Sequence, residues 1–404
     1  MVLVGSSVGV VTPAMPFVVQ NIGLSAGEYG MVVSAFALAK MTGNIPSAVL
    51  VERHGRKPYL VYTMALIAMG VGGIGLASSF EQLYLCRLFT GLGVAGLSTA
   101  ATMTVTDIST PLNRASTFAP IMSAFATGTA LGPAIGGIAC DSIGINPTFY
   151  MVGVSYVGLA ALNQVLLKET KPSQMKFPWH GKPVRQATEP SIRESFQVAL
   201  GQWAPLLSKP SIRNVCIMNG FYWVALSGSQ MTLLPLILTN PEGLAMTATN
   251  IGQVYMGMSV VQVLGNPIFA KLVDKVGKVP GIVTGCTLIS SAMIGLPFCS
   301  DPYQLAGILV VWASGSSLLS ISPMAFVSDR VDDGKRAQAI ALLRTSGDVG
   351  FLIGASSMGA LADWTSSLDL AMQSSAGILL TATGWFAARS ALNAQLTNEK
   401  KFPG

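Results

Sequence analysis

The chain has 404 residues, of which 51% are hydrophobic and only 10% charged. Soluble domains carry about 25% charged residues, so this composition excludes an ordinary globular enzyme and calls for a surface that faces lipid. A net charge of +6 on so few charged groups gives no footing for nucleic acid. The five cysteines are scattered without CxxC spacing, and His54 and His180 have no second ligand beside them, so no metal site is expected.

A bilayer-crossing helix needs about 20 mostly apolar residues. Apolar runs centre near residues 12, 38, 68, 96, 126 and 157, and again near 225, 260, 289, 315, 348 and 380. Gly, Pro or charged clusters separate them: Gly27-Glu28, Glu52 to Pro58, Ser78 to Gln82, Asp107 to Arg114, Asp141 to Pro147. This predicts an all-α membrane protein of about twelve transmembrane helices. The expected organisation is a six-helix bundle over 1–168, a cytoplasmic linker over 169–210, a second bundle over 211–391 and a tail over 392–404. The first run starts without a basic leader and passes Pro13 and Pro16, so no cleavable signal is read.

In the linker, Ser191 with Glu194 reads as a capping box. Ile192, Phe196, Leu200, Trp203 and Leu207 then form one apolar helix face, expected to lie on the membrane surface. With the N-terminus inside, the outer loops hold Glu28, Glu81, Asp141, Glu242, Asp301, Asp363 and Asp369 without Lys or Arg. The inner loops hold Arg53, Arg56, Lys57, Arg114, Lys271, Lys275, Lys278, Arg330, Lys335 and Arg336. That positive-inside pattern places both termini in the cytoplasm.

An internal repeat organises the whole chain. Adding 222 to a first-half number carries Pro13 to Pro235, Gly30 to Gly252, Gly55 to Gly277, Asp107 to Asp329, Arg114 to Arg336, Gly132 to Gly354 and Asp141 to Asp363, with no gap. Two parallel six-helix halves suit alternating access, in which one half rocks against the other.

These residues resemble the major facilitator superfamily over nearly the whole chain. The family's loop motif between helices 2 and 3, G-x-x-x-D-R-x-G-R-[RK], is similar to Ala48 to Lys57 here, with Glu52, Arg53, Gly55, Arg56 and Lys57 in place. Ala48 stands for Gly and Glu52 for Asp. The second copy, Ala270 to Val279, keeps Asp274, Lys275, Gly277 and Lys278. Arg87 to Ala95 is similar to the helix 4 motif R-x-x-x-G-x-G-x-A. Gly128, Gly132, Pro133, Gly136 and Gly137 match the helix 5 motif G-x-x-x-G-P-x-x-G-G, which looks like that of proton-coupled antiporters and drug exporters. Its glycines also make a smooth packing face, and its proline bends the helix. The resemblance implies an inner gate in which Arg53 or Arg56 meets Asp107, mirrored by Lys275 with Asp329.

Four ionisable residues fall at bilayer depth, where charge is costly and usually functional: Lys40, Arg87, Arg344 and Asp348. Lys40 lies twelve residues before Glu52 and Asp348 twelve after Arg336, so both sit about 18 Å from the inner surface. Helices 2 and 11 are neighbours in the family fold, which implies a Lys40–Asp348 pair, either a permanent bridge or part of a proton path. Phe125, Tyr222, Trp223, Gln230 and Tyr255 are candidate cavity residues, each also able to be plain packing.

The sequence therefore points to a secondary transporter, with a proton-coupled exporter of small, fairly apolar molecules in front. A sugar or organic-anion importer or uniporter is the alternative, and a non-transporting sensor or scaffold is a third reading. The proton gradient is the expected energy source, without a cofactor. The expected partners are a small-molecule solute and the lipid bilayer, for a monomeric chain. No nucleophile with a base, metal cluster or phosphate-cradling loop argues for an enzyme.

Overall fold

Sequence punctuation sets the helix ends. Ser25 and Glu28 form a reciprocal capping box: Glu28 N donates to Ser25 Oγ at 3.2 Å and Ser25 N to Glu28 Oε2 at 2.8 Å, which satisfies two orphan donors of the first turn. Ser79 and Thr247 cap their helices by accepting from Gln82 N and Asn250 N. Pro210 and Pro302 stand in first turns, where the missing N–H costs nothing.

The computed structural model describes residues 1–110, 114–171, 192–241, 243–299 and 301–401. Among these residues there are no strands, and the helices run α1 (Val2–Ile22), α2 (Ala26–His54), α3 (Arg56–Ile74), α4 (Phe80–Ile108), α5 (Arg114–Ile143) and α6 (Ile145–Leu166). A shorter helix, α7 (Ile192–Leu207), follows. Then come α8 (Pro210–Thr239), α9 (Ala248–Val276), α10 (Lys278–Gly295), α11 (Pro302–Ser328), α12 (Asp333–Thr365) and α13 (Leu368–Lys401). Nine of the described helices are apolar enough alone to cross a bilayer. The long helices α2, α12 and α13 fall outside that set; they carry the charges at Lys40, Glu52 and Arg53, at Arg336, Arg344, Asp348 and Asp363, and at Asp369 and Arg389. Exposed Phe298, Tyr303 and Trp364 at helix ends suit the interfacial belt that aromatic rings prefer. The chain is thus a multi-pass membrane protein.

The repeat is visible in the backbone. Residues 26–54 of α2 plus 222 give 248–276, the bounds of α9. Positive φ occurs at Gly23, Gly55 and Gly144, and at Ala245, Gly277 and Ser366; each of the second three is one of the first three plus 222. Left-handed backbone suits glycine, yet Ala245 (φ 44°) and Ser366 (φ 51°) hold it with side chains, so the turn persists where the residue type does not.

Contacts divide the chain into two compact units, residues 1–22 with 35–200, and residues 23–34 with 201–404. The first turns of α2 therefore sort with the second unit. In the first unit α1 packs on α5, and α3 packs on α4 and α6. In the second, α8 packs on α12, and α10 on α11 and α13, the same plan. Gly93 abuts Thr63 and Ile67, and Gly315, its mate, abuts Gly285 and Ile289, which are the mates of those two.

The capping residue Ser191 lies outside the described residues, as do the side chains of Ile192, Glu194 and Phe196, while Leu200 and Leu207 of the same helix are exposed. No break separates a tail at 392, since α13 is helical to Lys401. The repeat also slips within its first helix pair. Gly128 faces the carbonyl of Val2, whereas Gly350 faces that of Gly220 and not residue 224. An eight-residue π-helical stretch, Leu226–Leu233, lies in α8 beyond that contact, a local winding that absorbs extra residues.

Candidate functional site

Gly55 ends α2 with φ 96° and sends the chain into α3 at Arg56. That turn brings Arg56 back to the end of α4, where its Nε donates to Asp107 Oδ2 at 2.7 Å. The two side chains are 10% and 12% exposed. Of the two cations expected for Asp107, Arg56 makes the contact; Arg53 is exposed and its carbonyl accepts from Lys171 Nζ at 3.0 Å. Glu52 is exposed and Lys57 half-buried.

A residue that the sequence did not single out completes this corner. Glu169, three residues past α6, accepts backbone N–H groups of Arg56 (2.9 Å), Lys57 (3.1 Å), Thr170 (2.9 Å) and Lys171 (2.9 Å). The first two are orphan donors at the start of α3. Burial alone would raise the Glu169 pKa, but the four donors outweigh it and hold the carboxyl below its ordinary value. A methyl group on Gly55 would sit 2.6 Å from Glu169 Oε2, so glycine serves both the turn and the approach. The mate of Glu169 is Ala391, so the feature belongs to the first half, and the repeat could not reveal it.

The second unit repeats the ion pair in looser form. Gly277 (φ 110°) opens α10, and Lys278 Nζ lies 3.0 Å from Asp329 Oδ2 with the side chains 31% and 57% exposed. This corrects the expectation of Lys275. Lys278 occupies the place of Arg56 in the repeat, whereas Lys275 and Asp274 are exposed on the last turn of α9.

The helix 5 motif is a packing surface in both units. Gly128, Gly132 and Gly136 face α1; methyl groups on the latter two would lie 2.5 Å from Ser6 O and 2.6 Å from Val10 Cα. Pro133 meets Gly9, and Gly137 is buried. Gly350 and Gly354 of α12 meet the carbonyls of Gly220 and Val224 in the same manner.

The π-helical stretch concentrates buried polar groups: Ser227, Ser229, Gln230 and Thr232 are each at most 8% exposed. Tyr255 OH donates to the Gln230 carbonyl, Tyr29 OH to the Met231 carbonyl at 3.1 Å, and Ser229 Oγ to Ser375 Oγ at 2.9 Å. The Gln230 side-chain oxygen is buried without a hydrogen-bond partner, an open valence that costs energy unless a polar group arrives. Of the cavity candidates, Gln230 and Tyr255 thus come together. Tyr222 instead points into a small interior gap with Asn219, Ile282 and Cys286, while Trp223 stacks towards Phe351 at 6.1 Å. Phe125 is half-buried on α5 in the first unit.

Of the four charges expected at bilayer depth, the Arg87 guanidinium lies 5.0 Å from the Phe36 ring centroid, a cation–π distance. Lys40 on α2 and Asp348 on α12 are half-buried, and Arg344, one turn before Asp348, is exposed.

This geometry has relatives. The sequence profile of the Major Facilitator Superfamily matches residues 1–240 and 224–402. An uncharacterized MFS-type transporter of Methanocaldococcus jannaschii is 26% identical over 357 residues, 88% of this chain and 87% of that one. The quinolone resistance protein NorA of Staphylococcus aureus is 25% identical over 171 residues, 42% of this chain and 44% of NorA. The multi-drug resistance efflux pump PmrA of Streptococcus pneumoniae is 27% identical over 164 residues, 40% and 41% of the two chains. Both pump matches therefore span less than half of either protein. Among solved structures, a bacterial homolog of the human lysosomal transporter Spinster, inward-facing and unoccupied, superposes with TM-score 0.79 at 16% identity over 96% of this chain and 94% of that one. The nucleoside transporter NupG superposes with TM-score 0.78 at 12% identity over 96% of each chain. With its family profile matched across both halves and its repeated six-helix plan, the chain belongs to the major facilitator superfamily of transporters.

Proposed function

We propose that this transporter exports small, fairly apolar molecules in exchange for protons, with both termini on the cytoplasmic side. The observation that carries the reading is Asp348, a half-buried carboxylate in the middle of α12 with Arg344 one turn away. A carboxylate at that depth is costly unless it binds a proton or a cation in the cycle. The glycine–proline pattern of α5 and the partial likeness to NorA and PmrA support export. In this reading Lys40 is the partner that holds Asp348 charged between turnovers. Arg56–Asp107 and Lys278–Asp329 are inner-gate contacts that break and re-form, a two-state element such as switching requires.

The test uses proteoliposomes with a pH-sensitive dye inside, challenged with lipophilic amines, tetracycline-like drugs, sugars and carboxylates. Solute-dependent proton flux that vanishes in Asp348→Asn is the expected result. Solute movement without a proton signal, unchanged in Asp348→Asn, overturns the antiport reading. It would favour the second one, uniport of an anionic metabolite, for which the membrane-embedded Arg87 and Arg344 are the relevant groups.

A further inference from the structure

A crevice of about 130 Å³ opens in the first unit between α1, α5 and α6. Its rim is apolar and exposed: Leu3 and Ile135 are each 49% exposed and Met151 44%, so in a bilayer its mouth meets acyl chains. The rest of its wall, Val10, Val152 and Leu159 included, is mostly apolar but carries hydroxyl groups. Ser6, Ser7, Ser155 and Tyr156 all line it.

The hydrogen bonds on that wall have a direction. Ser7 Oγ donates to Val4 O at 2.9 Å, which commits its single proton. The bond between Ser7 and Tyr156 must then carry the tyrosine's proton. Ser155 Oγ donates to Met151 O at 2.8 Å. Three of the four hydroxyls therefore offer the crevice lone pairs and no protons, while Ser6 can turn to accept as well. An apolar guest that brings one donor can pair with all four hydroxyls, whereas a guest that only accepts has Ser6 alone.

The second half does not repeat the hydroxyls of α6. Ser229 of α8 bonds directly to Ser375 of α13 at 2.9 Å, joining the two helices that correspond to α1 and α6. The mates of Ser155 and Tyr156 are Gly377 and Ile378.

We infer that the α1–α5–α6 crevice is a binding site for small bilayer-dissolved molecules that have an apolar body and one hydroxyl or N–H donor, of which a simple phenol is the type. Its size is right, since an apolar protein cavity of about 150 Å³ takes up benzene. The inference is independent of the direction and coupling of transport.

The experiment is photolabelling of the full chain in phosphatidylcholine nanodiscs with a phenol that bears a diazirine, followed by peptide mapping. Labels are expected on residues 3–10 and 151–159. Phenol should compete about five- to tenfold better than anisole or toluene, the worth of one hydrogen bond. Ser155→Phe plugs the mouth from an exposed position and should cut labelling by a similar factor, with unchanged thermal unfolding as the folding control. Ser155→Ala removes an acceptor without freeing another and should reduce the preference of phenol over anisole. Labelling spread evenly over the lipid-facing helices, equal competition by the three compounds, or full labelling of Ser155→Phe would each overturn the inference; the first would mean that acyl chains alone fill the crevice.

Discussion

The two copies of the loop ion pair allow an internally controlled test of what burial does to a salt bridge. Arg56–Asp107 and Lys278–Asp329 stand at repeat-equivalent positions, yet the first pair is 10% and 12% exposed and the second 31% and 57%. Removing one partner of a buried pair leaves an uncompensated charge and costs 3–5 kcal/mol, whereas an exposed pair contributes about 0–1 kcal/mol. Asp107→Ala is therefore expected to cost about 3 kcal/mol, the low end because a tenth of each side chain stays wet. Asp329→Ala should cost less than about 1 kcal/mol. With an unfolding entropy of about 2.1 cal/mol/K per residue, a chain of this length loses about 3–4 °C in Tm for the first change and about 1 °C or less for the second. The assay is thermal unfolding of the purified protein in one detergent at one salt concentration. A double-mutant cycle with Arg56→Gln should recover most of the Asp107 effect as coupling energy. Equal Tm losses for the two aspartates, or no coupling between Arg56 and Asp107, would refute the burial argument.

Further outcomes follow from other features. Because four N–H donors hold the Glu169 pKa below its ordinary value, its contribution is present above that ordinary value and is lost as pH falls through the folded one. The Tm gap between wild type and Glu169→Gln should thus be full at pH 7 and close on acidification below about pH 4; a gap independent of pH would rule this out. Gly132→Ala and Gly354→Ala place a methyl on a facing carbonyl and should each cost about 1–3 kcal/mol or more, while Gly158→Ala and Gly377→Ala, with open space around them, should be neutral or gain about 0.5 kcal/mol. Ser366→Gly should stabilise by about 1 kcal/mol and Gly144→Ala destabilise by about as much, since each changes the cost of left-handed backbone; chemical unfolding of the two variants reads both signs.

Much of the fold could be read because membrane helices obey coarse rules. Apolar length placed the spans, and loop residues such as Gly55, Gly277, Asp107 and Asp329 marked a repeat that the helix bounds of α2 and α9 reproduce to the residue. What escaped depends on finer geometry. A π-helical stretch at Leu226–Leu233 has no period or punctuation of its own in the sequence, and its winding hides the four-residue slip along α8. Whether Lys275 or Lys278 reaches Asp329 is decided by the turn at Gly277. Glu169 lies distant in sequence from the N–H groups it caps, and its meaning appears only once α3 and the end of α6 are side by side. Tyr222 and Tyr255 look alike as helix aromatics, but one faces an interior gap and the other ties down a peptide carbonyl.

The left-handed corners at 23, 55 and 144 and at 245, 277 and 366 say something about ancestry. Two of the three corners in the second half hold Ala245 and Ser366 where the first half has Gly23 and Gly144, and the chain turns there in the same sense. The path of the backbone is thus shared where the amino acid best suited to it is not. Packing of the long helices, rather than the corner residue, dictates where the polypeptide reverses. A search for vestiges of duplication in chains of this kind would do better to compare the signs of φ along the backbone than to look for shared glycines.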